Sequence, residues 1–170
     1  MKLIGQGAFT RAYQKDKKTV VLHSIDPIKE CMSLWFPESP LFPDIKRINY
    51  LDDGTGIYEM EYYPKVKSLK NALSDSQWGI YQDLRRIFEK ERYDTPNNPN
   101  MFFYYWHEKF NSIKNKRVRK LMKEALDACG NYGTDICFEI LPRNVAVKNG
   151  KLILIDCFYL YSKLNEVRSK

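Results

Sequence analysis

The segment 136–158, ICFEILPRNVAVKNGKLILIDCF, constrains the fold more than any other stretch of the chain. Apolar residues alternate on both sides of an Asn149-Gly150 pair, a turn signal that joins two antiparallel strands. Asp156 continues the parity of these apolar residues beyond the second strand. The residues that share this parity are Val145, Val147, Leu152 and Leu154. The segment therefore predicts a loop, a β-hairpin and an acidic residue just past its end.

Three polar side chains flank this hairpin. Glu139 lies five residues before Asn144, and Asp156 lies twelve residues after it. We expect the two acids and the amide to meet at the mouths of neighbouring strands. They can hold Mg²⁺ there against a phosphate, because Mg²⁺ prefers hard oxygen ligands and usually takes only one or two protein carboxylates. A hairpin with polar ends and no ligand is the alternative interpretation.

Length and composition indicate a globular protein. A chain of 170 residues with 44% hydrophobic content is long enough for one domain or for two small lobes. The net charge of +7 favours acidic partners without choosing among phosphates, nucleic acid and acidic proteins. The four cysteines form no CxxC pair, which predicts buried free thiols in a reducing cytoplasm. No signal peptide or run of roughly 18 apolar residues occurs, so we expect a soluble intracellular protein without membrane association.

The first part of the chain predicts five strands and one helix. Gly5 and Gly7 lie in the first turn, where a glycine backbone can approach an anion closely. Asp26 and Pro27 provide the N-cap and first residue of a helix that ends before Pro37. The strands are predicted as a pair within 2–13 and as single strands at 19–24, 44–51 and 57–63.

The second part predicts helices before the hairpin. Apolar residues recur at helical spacing within 68–73, 78–90 and about 103–129, and Gly130 suits the C-cap of the last and longest helix. Lysines and arginines crowd the middle of that helix, between 114 and 123. A solvated face is the first interpretation of this run, and a docking patch for an acidic surface is the alternative.

This order of elements resembles a protein kinase, and five short motifs occur in the corresponding order. The motifs are GQGAF at 5–9, VVLH at 20–23, MEYY at 60–63, EILPRN at 139–144 and DCF at 156–158. The resemblance implies an α+β, minimal two-lobe fold. Residues 1–63 would form a five-stranded antiparallel N-lobe with one helix. Residues 64–170 would form an abbreviated helical C-lobe with the β-hairpin.

The resemblance also implies roles for individual residues. Asn144 and Asp156 would bind Mg²⁺, and Glu139 would accept the proton of a substrate hydroxyl, with Arg143 supplying charge for phosphate. ATP would be the nucleotide. Its adenine would bind the backbone of Glu61 and Tyr63 beneath Ala12 and Val21, and its phosphates would lie under the amides of residues 5–9. The implied cofactor-binding residues are thus Gly5, Gly7, Phe9, Ala12, Val21, His23, Glu61 and Tyr63.

Several positions depart from the kinase pattern. His23 stands where the family has a lysine on its third strand, with Glu30 as a candidate partner on the helix. Thr10 replaces the third glycine of the phosphate loop, and Leu141 replaces the catalytic-loop lysine. Only twelve residues follow Phe158, so we expect no full activation segment or large helical lobe.

The loop LIGQGAFTRAY and the segment FEILPRNVAVKNGKLILID resemble a compact subgroup, the early Ser/Thr protein kinases of short-tailed bacteriophages. This resemblance implies an ATP- and Mg²⁺-dependent phosphotransferase that acts on host proteins in a bacterial cytoplasm.

Two other interpretations remain open. A pseudokinase would use the same fold as a binding module or inhibitor of a host protein, as the changes at His23, Glu139 and Leu141 suggest. A nucleic-acid binder would use the basic face at 114–123 together with exposed Tyr104, Tyr105 and Trp106. The second of these is the weaker hypothesis, because aromatic residues at 102–106 also suit a helix packed on a core. The sequence does not predict the oligomeric state.

Overall fold

A computed structural model describes residues 1–90 and 95–169 of the chain. The protein is α+β: a five-stranded antiparallel sheet with a helix comes first, and a helical region with small β-hairpins follows. This confirms the predicted fold class.

The sheet is built from the first part of the chain, in the order β1-β2-β3-β5-β4. Its central strand is buried on both faces, because Val20, Val21 and Leu22 are all 6% exposed or less. β3 therefore reads as a continuous apolar run rather than an alternating one. The strands are β1 (Lys2–Gln6), β2 (Thr10–Gln14), β3 (Thr19–Ser24), β4 (Lys46–Tyr50) and β5 (Gly56–Glu61).

A single helix, α1 (Pro27–Trp35), follows β3 and begins as predicted. The Asp26 carboxylate accepts a hydrogen bond from the Ile28 N–H at 2.9 Å, and Pro27 occupies the first turn, where its missing N–H costs nothing. A proline-rich connector then carries the chain to β4. Within this connector the Leu41 carbonyl accepts a hydrogen bond from the Leu154 N–H at 2.8 Å, which ties the sheet region to the later hairpin.

The helical region differs from the prediction at one place. The long helix expected at about 103–129 is two helices joined by a 3₁₀ turn, Phe110–Ser112, and an extended residue, Ile113. Asn115 caps the second helix by accepting a hydrogen bond from Val118 N–H at 3.1 Å. The helices are α2 (Leu69–Ala72), α3 (Asp75–Lys90), α4 (Phe102–Lys109) and α5 (Lys116–Gly130).

The C-cap prediction at Gly130 is also wrong. α5 includes Gly130, and the cap is Asn131 in an ordinary right-handed conformation. A side chain at Gly130 would come within 2.9 Å of the Phe103 ring, so close packing between α4 and α5 explains the glycine better than helix termination.

Two strand pairs complete the structure. The predicted hairpin is present as β7 (Val145–Lys148) and β8 (Lys151–Leu154), and Asn149 and Gly150 both have positive φ, as a type I′ turn requires. A second pair, β6 (Ile136–Phe138) with β9 (Phe158–Leu160), precedes the last helix, α6 (Tyr161–Arg168). One hydrophobic core runs from Val20 on the sheet through the helices to Leu160. Within the described ranges no helix is long and apolar enough to span a membrane.

Candidate functional site

Glu139, Asn144 and Asp156 lie together beside the β7–β8 hairpin. A 3₁₀ turn, Pro142–Asn144, delivers Asn144 to the start of β7, and its amide nitrogen donates to the Glu139 carboxylate at 2.8 Å. The backbone N–H groups of Ile155 and Asp156 donate to the Asn144 carbonyl at 3.0 and 3.3 Å. The antiparallel ladder thus extends past β8 and sets Asp156 next to Asn144. The backbones of Asn144 and Asp156 are thus adjacent, and the side chains of Asn144 and Glu139 are in contact.

Arg143 belongs to the same cluster. Its guanidinium lies 3.3 Å from both oxygens of Glu139, while the side chain itself remains largely exposed. The Glu139 carboxylate therefore has two donors, Asn144 from one side and Arg143 from the other.

The sequence analysis did not identify Lys29 as a member of this site. This residue projects from α1 and is 5% exposed, and its ammonium donates to the Asp156 carboxylate at 2.7 Å and to the Ile155 carbonyl at 3.1 Å. The available signal was a lysine among Ile28, Cys31 and Met32 on the buried face of an amphipathic helix. A charged residue in an apolar stripe requires a buried partner.

A second acid, Asp26, acts on the same lysine. Burial removes Asp26 from water and raises the pKa of its carboxyl to about 6, although the positive charge of Lys29 acts in the opposite direction. Burial also disfavours the charged form of Lys29, but Asp156 and Asp26 together raise the pKa of its ammonium above the ordinary value. Lys29 therefore stays charged at neutral pH, between one buried acid and one half-exposed acid.

The strand register explains why a lysine on α1 reaches Asp156 while His23 does not. Ala12 lies directly opposite Leu22, and this pair shares the sheet face that packs on the core. Val21 and His23 have the other parity and project from the opposite face. Ser24, on the core face, hydrogen-bonds to the Thr10 hydroxyl at 2.7 Å instead of supplying a charge.

Two predicted contacts are therefore wrong. Ala12 and Val21 cannot both cover a ligand, because they occupy opposite faces of the sheet. His23 packs against the Tyr13 ring at 4.9 Å between centroids, away from Asp156. The proposed helix partner, Glu30, pairs instead with Arg47 of β4 at 2.9 Å.

The glycine turn lies between β1 and β2. Gly7 N–H donates to the Thr10 carbonyl at 2.9 Å, which closes a four-residue turn and uses one of the amides predicted to cover phosphates. Neither Gly5 nor Gly7 has a positive φ, and a Cβ at either position would meet nothing closer than 3.9 Å. Neither conformation nor packing within the described residues requires these two glycines.

Phe9 connects the glycine turn with the rest of the site. Its carbonyl accepts a hydrogen bond from Ile25 N–H at 3.0 Å, just before α1. Its ring lies 6.3 Å from that of Tyr159, which follows the Asp156-Cys157-Phe158 segment. The residue that follows the glycine turn therefore contacts the segment just after Asp156.

Glu61 and Tyr63, predicted to bind adenine through their backbone, lie at the end of β5. The Glu61 side chain pairs with Lys148 of the hairpin at 2.5 Å. Burial raises the pKa of the Tyr63 hydroxyl to about 12, so the ring stays neutral. The C-terminal end of β5 therefore contacts the tip of the hairpin, whereas Lys29 contacts its other end.

The donor chemistry at Asn144 and Asp156 suits Mg²⁺. The Asn144 nitrogen points to Glu139, so the amide oxygen is the atom left for a cation, and Asp156 has a side chain that is 53% exposed. Among the described residues no group of three or more His, Cys, Asp or Glu side chains could hold a metal by itself. Protein ligands here could supply only part of a coordination shell, as is usual for Mg²⁺ with phosphate.

Other candidate sites find less support. Trp106 is 5% exposed and packs on Phe138, so it cannot stack on a nucleic-acid base as the third interpretation required. The basic run at 114–123 is mostly exposed, and part of it is engaged locally, because Arg119 donates to the Ile113 carbonyl and Lys123 contacts Asn111. The four cysteines are free thiols, and Cys31, Cys129 and Cys157 are buried, as predicted.

No protein-family model matches the chain. A search of the curated proteins found no significant match either.

Proposed function

We propose that this chain is a kinase-like phosphotransferase that uses ATP and Mg²⁺ to phosphorylate serine or threonine of a host protein. One observation supports the proposal: Asn144 contacts Glu139 through its side chain and Asp156 through the backbone, and Asp156 is paired with the buried Lys29.

The residues would divide the work as follows. Asn144 and Asp156 would offer oxygen ligands to the cation, and the turn at Gly5 and Gly7 would let the backbone approach phosphate oxygens. Glu139 would orient the acceptor hydroxyl and take its proton. The bound nucleotide would supply the phosphoryl group, and Mg²⁺ would neutralise charge on its oxygens. By the same resemblance the acceptor would be a host protein in the cytoplasm of a bacterium infected by a phage.

One observation favours a second candidate, a pseudokinase that binds a host protein without phosphorylating it. The Glu139 carboxylate already accepts a hydrogen bond from Asn144 and forms an ion pair with Arg143. A carboxylate held by two donors must release or share them before it takes a substrate proton.

A thermal-shift titration with ATP, in the presence and absence of Mg²⁺, tests the nucleotide site. Binding to the native state must raise the melting temperature by mass action. We expect a Mg²⁺-dependent rise that Asn144→Ala abolishes and that the exposed control Asn71→Ala preserves. Absence of any rise with the folded wild-type protein contradicts the proposal.

Transfer of labelled phosphate from ATP to the protein itself or to bacterial cytosolic proteins then separates the two candidates. Transfer that Glu139→Gln eliminates supports the phosphotransferase. Nucleotide binding without transfer supports the pseudokinase.

A further inference from the structure

We propose that Lys29 is a positioning residue that fixes the Asp156 carboxylate and makes cation binding there depend on an accompanying polyphosphate. The inference rests on the proposed function, and it concerns a residue of α1 that the sequence motifs do not include. It predicts that the site takes a cation–polyphosphate complex and discriminates against the bare cation.

The first argument is geometric. Lys29 donates to the Asp156 carboxylate at 2.7 Å and to the carbonyl of the preceding residue, Ile155, at 3.1 Å. Two bonds to adjacent groups of one segment restrict both the backbone and the side chain of Asp156. Only one Asp156 oxygen receives the lysine, so the other can face a cation. Asp156 is half-exposed while Lys29 is buried, so the fixed carboxylate is presented to solvent from a rigid base.

The second argument is the balance of charges. Asp156 is paired with Lys29, and Glu139 is paired with Arg143. Each acid beside Asn144 therefore has its own cation, and a bare divalent ion meets no net negative charge from these two pairs. A third acid, Asp26, also acts on Lys29, but it is 3% exposed, so it cannot be a ligand of a cation that arrives from solvent. No cluster of three or more acids, histidines or cysteines within the described residues compensates for this.

A cation that arrives with a polyphosphate changes the balance. The cation can contact the free oxygens of Asp156 and Asn144, while the phosphate charge is attracted to Lys29 and Arg143. Attraction between unit charges separated by several ångströms near a protein surface is large enough to change affinity by about tenfold or more. The same lysine therefore opposes the bare ion and favours the complex.

Burial explains why Lys29 can do this permanently. Lys29 is 5% exposed and lies with Ile28 and Met32 on the buried face of α1, beside a small cavity that Asp156 also lines. A surface lysine would sample many conformations, but this one is held in a single position by its packing and by its two hydrogen bonds.

The experiment measures Mn²⁺ binding by electron paramagnetic resonance, with Mn²⁺ alone, with inorganic tripolyphosphate and with ATP. For Lys29→Met we expect about tenfold weaker binding of Mn²⁺ in the presence of tripolyphosphate or ATP, and equal or tighter binding of Mn²⁺ alone. Lys29→Arg, which keeps the charge, should retain the preference for the complex. Lys15→Met removes a different ion-paired lysine, on the outer face of the sheet, and should change neither affinity.

Folding is controlled independently of binding. Lys29→Met leaves the buried Asp26 without its nearest cation, so the double variant Asp26→Asn/Lys29→Met removes both buried charges while Asn keeps the N-cap. If the melting temperature of Lys29→Met stays near that of the wild type, Mn²⁺ binding is compared in this single variant. If the melting temperature falls, the comparison uses the double variant. The opposite shifts for the bare ion and the complex are expected in either background.

The outcomes are distinct. Equal loss of both affinities means that Lys29 only supports the fold, and it overturns the inference. Unchanged affinities in the Met variants also overturn the inference and leave the proposed function standing. The same holds if the wild-type protein binds bare Mn²⁺ as tightly as it binds Mn²⁺ with polyphosphate. Wild-type protein that binds neither complex overturns the proposed function, and the inference with it.

Discussion

At the scale of single residues, the interior of this protein contains an acid whose pKa is raised by burial. Asp26 caps α1 and is 3% exposed, and its removal from water raises the pKa of the carboxyl from 3.8 to about 6. Its hydrogen bond to Ile28 N–H and the field of Lys29 reduce the cost of ionisation without removing it. The residue that starts the helix is therefore also a source of pH dependence.

The first prediction concerns this carboxyl. Because the folded-state pKa lies above the unfolded one, the native state binds more protons between about pH 4 and pH 6, and stability falls as pH rises through that window. A shift of about two units corresponds to about 3 kcal/mol. We expect the free energy of unfolding of Asp26→Asn, relative to that of the wild type, to increase by this amount between pH 4 and pH 6.5. Urea unfolding at each pH measures the difference. A difference between the two proteins that does not grow with pH would contradict the assignment.

The second prediction concerns Gly7. A methyl group there would meet nothing closer than 3.9 Å, so Gly7→Ala should change the free energy of unfolding by less than about 1 kcal/mol. If phosphates lie against the turn, the same methyl group should weaken binding of ATP with Mg²⁺; a tenfold loss is about 1.4 kcal/mol. Titration calorimetry measures this, and Gly79→Ala on the exposed face of α3 is the control. Undiminished ATP affinity in Gly7→Ala would argue against a phosphate at the turn.

At the scale of elements, local signals predicted what local chemistry determines. The Asp26-Pro27 start of α1 and the Asn149-Gly150 turn were correct because capping and positive φ depend on a few adjacent residues. That Asn144 and Asp156 lie side by side was also predictable, because a short hairpin fixes which residues lie at its open end.

The errors arose where tertiary contacts decide. The face of β3 was misjudged because a strand buried on both sides has no alternation that marks the inner face. The helix expected at about 103–129 is broken because Asp83 of α3 accepts a hydrogen bond from the Lys114 N–H at 2.8 Å, and Asn115 then caps a new helix. No proline or glycine marks this break. Lys29 was missed for a related reason: its partner, Asp156, is more than a hundred residues away.

The third prediction tests the hairpin that carries the site. Gly150 has a φ of +75°, so Gly150→Ala should destabilise the protein by about 1 kcal/mol, because residues other than glycine are strained there. Gly79→Ala, within α3 and with open space around its Cβ, should instead stabilise by up to about 1 kcal/mol. Chemical denaturation compares the two. Equal effects of the two substitutions would be inconsistent with the turn geometry.

At the scale of the whole molecule, the sheet region and the helical region share contacts of several kinds. Lys29 pairs with Asp156, the Leu41 carbonyl binds the Leu154 N–H, and the sulfurs of Cys31 and Cys129 lie 3.9 Å apart between α1 and α5. A single hydrophobic core continues through both regions. The division into lobes 1–63 and 64–170 therefore stays a prediction about shape, and we expect the two lobes to unfold together.

The last prediction tests that cooperativity. Leu126 of α5 is fully buried in the shared core, and Leu126→Ala should cost about 2–5 kcal/mol. If the protein is one cooperative unit, the loss of free energy of unfolding measured by circular dichroism of the helices must also appear in β3. The most protected backbone amides of β3 should then exchange with deuterium faster by the factor that corresponds to this loss. Lys120→Ala, on the exposed face of the same helix, should change neither measurement by more than about 0.5 kcal/mol. Undiminished protection in β3 of Leu126→Ala would show that the sheet region unfolds separately, and the site between the regions would then depend on how they dock.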